Sequence, residues 1–132
     1  MKKISLLGAL AAVAGATFSC TQNPYAGLEP ELAEALRANI AAADSSNRPE
    51  LLDALTRAPK NQREGMAYLI AYMPEGDRDT LTADFLLEEV GWAYRARETF
   101  PWAKALPDSV FYNDVLPYAS MNERREPWRA MF

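Results

Sequence analysis

Proline divides this chain into short helical segments. Nine of its 132 residues are proline, and from position 49 onward they fall at 49, 59, 74, 101, 107, 117 and 127. Proline lacks the amide donor that a helix interior needs and crowds the preceding turn, so each one marks a start or a stop. Between them the apolar residues repeat at helical spacing. Leu32, Leu36 and Ile40 place one stripe on a helix of about three turns that opens near Glu31. Asn47, Pro49 and Glu50 read as an N-cap, a first-turn proline and a capping acid, followed by the apolar face of Leu51, Leu52 and Leu55 and the stop at Pro59. Asn61 caps a third helix, Gln62 to Met73, with Met66, Leu69, Ile70 and Met73 on one side and Pro74 as its stop.

Glu75 to Asp79 reads as a polar turn around Gly76. The longest helix then runs from Thr82 to about Thr99. Ala83, Leu86, Leu87, Val90 and Tyr94 trace one side of it and Phe85 and Trp92 another, so it should be central, packed on the preceding helices and on a further element opposite. Phe100 to Pro107 is an aromatic connection between two prolines. Asp108 or Ser109 caps a short helix carrying Val110, Phe111 and Val115. No stretch alternates like a strand and no fixed-period signature repeats. The expected fold is all-α: one small irregular bundle of about five helices over 31–132.

Two segments precede the bundle. Lys2 and Lys3 followed by the apolar run Ile4 to Ala16 form the charged and hydrophobic parts of an export signal, too short to span a bilayer, which needs about 20 residues. The run ends in Thr17-Phe18-Ser19-Cys20, which resembles a lipobox with Thr17 where leucine is common. Cys20 is the only cysteine in the chain, and an unpaired thiol is awkward in an oxidising compartment. The expectation is removal of 1–19 and lipidation of Cys20, with acyl chains contributing about 0.8 kcal/mol per buried methylene. Residues 20–30, with two prolines and a glycine, form the tether. This places the protein in a bacterial cell envelope, anchored to the membrane, facing the periplasm from the outer membrane or standing on the cell surface.

Charge and residue inventory exclude several functions. Loss of two lysines with the signal takes the formal charge from −4 to −6. The only adjacent basic pair after the signal, Arg124-Arg125, is flanked by acids, so nucleic acid is not an expected partner. The chain has no histidine, so it cannot assemble a Cys-His pair or a zinc ligand set, and no cofactor or metal is implied. Glu29-Glu31, Asp77-Asp79 and Glu88-Glu89 read as solvated faces rather than acid/base pairs, and Asp77-x-Asp79 falls short of a calcium loop.

The C-terminal stretch carries a family resemblance. Phe111, Val115-Leu116-Pro117-Tyr118, Asn122-Glu123 and Trp128-Arg129, in that order, resemble the segment leading into the catalytic core of bacterial lipoproteins with a transglutaminase-like domain, in the papain-like superfamily. The resemblance covers 33–132 as a helical leader and stops short of the core. It implies a cysteine enzyme whose Cys, His and Asp lie beyond Phe132, a chain cut before that core, and Tyr118, Asn122, Glu123, Trp128 and Arg129 at the junction. No catalytic residue falls within these 132 positions on that reading. The alternative is a complete small helical lipoprotein that binds a protein or glycan through exposed aromatics.

Overall fold

The computed structural model describes residues 23–119 and 123–131. The signal, Cys20 and Asn122 lie outside the described residues. Helix α1 (Pro30–Ala42), α2 (Arg48–Arg57), α3 (Arg63–Tyr72) and α5 (Ala83–Thr99) are the main elements. One-turn helices α4 (Glu75–Arg78), α6 (Pro101–Lys104) and α7 (Asp108–Val110) join them, and α7 continues as a π-helical turn, Phe111–Val115. A 3₁₀ turn at Trp128–Met131 follows. The fold is all-α, with no strand among the described residues. None of the described helices is long and apolar enough to cross a membrane.

The stripes meet in one core. Leu36 and Ile40 of α1, Leu51 and Leu55 of α2, Met66 and Ile70 of α3, and Leu86 and Val90 of α5 are all buried together. Helix α5 is central, packing on α2 and α3 and touching α6 and the C-terminal 3₁₀ turn. The chain's own later segment packs against it. Phe111 is fully buried, with its ring edge-on to Tyr94 at 5.0 Å, and Tyr118 meets Phe85 edge-on at 5.6 Å. Arg97 folds the 100–108 connection back by donating to the Leu106 carbonyl at 3.0 Å and to Asp108 at 2.7 Å, with its guanidinium 4.4 Å from the Phe111 ring centre.

Several helix ends are satisfied by side chains from other helices, which leaves fewer of their terminal backbone groups orphaned. Asn39 of α1 donates to the carbonyls of Ile70 and Met73 at the end of α3. Arg48 of α2 donates to the carbonyls of Ile40, Ala41 and Ala43 at the end of α1. Glu50 accepts from the Ala83 amide at 2.7 Å, at the start of α5. Each bond fixes both an end and an interhelical distance.

These contacts revise several local expectations. Asn47 stands at the N-cap of α2 without a side-chain cap bond; its amide instead reaches the carbonyls of Arg78 and Leu81. Glu50 therefore caps α5 rather than closing a box with Asn47. The third helix begins at Arg63, after a 3₁₀ turn at Lys60–Gln62 that follows Pro59, so Asn61 is not its cap. Glu75 to Asp79 forms a helical turn because Pro74 presents its carbonyl to the amides of Asp77 and Arg78. Phe100 does the same for Ala103 and Lys104, making the aromatic connection helical. Pro107 occupies the cap position assigned to Asp108 or Ser109.

Candidate functional site

Tyr118 and the described residues 123–131 lie on the bundle as a strap held at three points. Tyr118 is buried, and its hydroxyl donates to Asp77 at 2.8 Å. Arg125 donates from Nε to the same carboxylate at 2.8 and 3.1 Å, while its Nη1 donates to the Glu123 carbonyl. Trp128 donates from Nε1 to the Tyr118 carbonyl at 2.7 Å. Arg129 donates to Glu89 of α5 at 2.6 Å and to the carbonyls of Val115 and Pro117 at 2.7 and 2.8 Å.

Glu89 is 0% exposed, and its Oε1 has no hydrogen-bond partner among the described residues. Burial pushes its carboxyl above the ordinary value, against the pull of the Arg129 guanidinium. Burial also raises the Tyr118 phenol, aided by the Asp77 carboxylate that its hydroxyl already serves. Asp77 and Glu89 are thus corrections to the solvated-face reading: both are buried and paired, whereas Glu29, Glu31 and Glu88 are exposed. Glu89 lies three residues after Leu86 and four before Ala93, both buried, which is the signal that marks it as inward-facing. Asp77 and Asp79 serve different partners, since Asp79 accepts from the Asp44 amide and from Arg78. No group of three potential metal ligands exists among the described residues.

Beside the strap lies a cleft of about 880 Å³, walled by Trp92, Ala96, Phe100, Trp102, Asp114 and Trp128 among others. Phe100 and Trp102 stack with centroids 6.0 Å apart and planes 17° from parallel. Trp102 is 60% exposed and Trp128 37%. Trp128 turns one ring face to the Arg129 guanidinium, 4.7 Å from the ring centre. Glu123 is exposed at the rim.

Compared with family models, curated proteins and solved structures, the chain finds no match in any of the three. Function must therefore be argued from the site itself. Of the five junction candidates, the structure brings Tyr118, Trp128 and Arg129 together, and places Glu123 at the edge of the same cleft. The two acids that anchor the strap, Asp77 and Glu89, were not among the expected site residues. Phe85 and Trp92 are half-buried, while Trp102 and Trp128 remain exposed. The cleft offers apolar rings in a concave face, with Arg129 paired to Glu89 and the exposed acids Asp114 and Glu123 in its lining.

Proposed function

We propose that this chain is the lipid-anchored helical region of a transglutaminase-like lipoprotein of the bacterial cell envelope. It holds a catalytic domain in place and does no chemistry itself. The observation that carries this reading is the aromatic cleft, which runs along the Trp128-Arg129 motif where the resemblance puts the approach to the core. An exposed face of this kind, formed by Phe100, Trp102 and Trp128, suits a docking surface, because contiguous apolar area left in water favours association. Its neighbouring cation, Arg129, is neutralised by Glu89, and the acids that line the cleft, Asp114 and Glu123, are exposed to solvent.

The cysteine chemistry implied by the resemblance needs a thiolate, a base within hydrogen-bond reach and a third group to orient the base. All three belong to the docked domain. Cys20 serves the lipid anchor.

The test is photo-crosslinking in the source cell from Trp102→p-benzoyl-phenylalanine. The expected product is an intramolecular crosslink to a segment beyond Phe132 that carries Cys and His. Crosslinks only to other polypeptides, or none at all, would reject the docked-domain reading.

A further inference from the structure

A second concavity adjoins the aromatic cleft at Asn113, Pro117 and Ala119. It has a volume of about 310 Å³ and is lined by Tyr68, Tyr72, Tyr112, Tyr118, Asp77 and Arg125 among others. That is at the lower end of the roughly 300–1,000 Å³ of small-molecule clefts. Three of the rings form a continuous row: Tyr68 is 4.9 Å from Tyr72 and 5.1 Å from Tyr112, the latter pair 26° from parallel. Tyr68 is pinned by its hydroxyl, which donates to Asn113 at 2.9 Å. Asn113 is held in turn by donating to the Ser109 carbonyl. Tyr72 is 56% exposed, so the row presents open ring area at its outer end.

The polar edge of the pocket is a fixed donor–acceptor pair. The Arg125 Nε holds Asp77, and its Nη1 holds the Glu123 carbonyl. Nη2 carries no bond to the described residues. Asp77 Oδ1 accepts only from Arg125 among the described residues, and a carboxylate oxygen has two lone pairs. One donor and one acceptor thus stand side by side, held by the ion pair and the Tyr118 hydroxyl. Two neighbouring hydroxyls on one ring meet that arrangement, one accepting from Nη2 and the other donating to Oδ1.

We infer that this pocket binds a saccharide. The ligand must be apolar on one face and hydroxylated at its edge, and a pyranose is both. Its axial C–H bonds meet the electron-rich faces of the tyrosines, while its vicinal hydroxyls meet Asp77 and Arg125. A proline-rich peptide would also suit tyrosine rings, but it requires an extended groove along an aromatic row. This pocket is compact and ends on the ion pair. The pocket shares Asn113, Pro117 and Ala119 with the cleft around Trp102, but the tyrosine row and the Asp77–Arg125 pair belong to it alone, and neither depends on the docked domain.

Saturation-transfer difference NMR on the full chain in detergent micelles tests this, with maltose, cellobiose and N,N′-diacetylchitobiose as probes and a decaproline peptide as the competing class. The expected result is transfer to the ring protons of at least one saccharide. That transfer should be lost in Tyr72→Ala, an exposed substitution that leaves the core intact, and unchanged in Trp102→Ala. Three outcomes overturn the inference: no transfer to any saccharide, transfer that survives Tyr72→Ala, or transfer to decaproline alone.

Discussion

Glu89 and Arg129, forty residues apart, form a buried ion pair at 2.6 Å that fastens the C-terminal strap to the middle of the central helix. The Arg129 side chain is 11% exposed and that of Glu89 0%. Removing one partner leaves a charge in a low-dielectric site, which costs about 3–5 kcal/mol. Arg129→Met is therefore expected to lower unfolding stability by that amount in urea titrations. A change below about 1 kcal/mol would mean that the strap does not hold Glu89.

The same pair fixes a pH dependence. Because burial raises the folded-state value of Glu89 above the ordinary 4.5, the folded state holds its proton more tightly than the unfolded state. Its contribution to stability is fully present below about pH 4.5 and is lost as pH rises through the higher folded value. Asp44 and Asp79 act in the opposite direction, since hydrogen bonds hold both below the ordinary carboxylate value. Comparison with Glu89→Gln removes their effect. Relative to the parent, the variant is expected to gain melting temperature as pH rises from 4.5 through the raised folded value of Glu89, and a constant difference would contradict the assignment.

Two glycines should respond with opposite signs. A Cβ at Gly65 would stand 2.5 Å from the Tyr94 hydroxyl, and Tyr94 is buried edge-on against Phe111. Gly65→Ala is expected to cost about 1–3 kcal/mol through overpacking. Gly91, inside α5, meets nothing within 4 Å. Gly91→Ala should stabilise by about 0.5–1 kcal/mol by restoring helix propensity, and thermal melts of the two variants check both signs.

Tyr118→Phe deletes one of the hydrogen bonds to Asp77 and nothing else. Bonds to a charged group are worth about 1.5–3 kcal/mol, and the expected loss in chemical denaturation lies in that range. Arg125 remains on the carboxylate, so the strap should stay docked and far-ultraviolet circular dichroism should not change.

The helical class and most of the core were legible because they depend on local spacing. Leu36 and Ile40, Leu51 and Leu55, Met66 and Ile70, and Leu86 and Val90 each fall one helical turn apart and are buried as that period requires. The cross-caps were not, since a capping side chain identifies itself in sequence only when its partner is adjacent. Asn47 looks local but bonds 31 and 34 residues away, and Glu50 looks like its box partner but bonds 33 residues away. The strap shows the same division. Tyr118, Trp128 and Arg129 stood out as a group, whereas their acids sit in α4 and α5, where adjacent carboxylates resemble a solvated surface.

The measurement that bears most directly on the proposed function is the intact mass of the protein extracted from source membranes. The lipid-anchored scaffold requires a mature N-terminus at an acylated Cys20 and a polypeptide that extends past Phe132 into a domain bearing Cys and His. A mass equal to residues 20–132 plus lipid would contradict the docked domain, and an unmodified Cys20 would contradict the anchor.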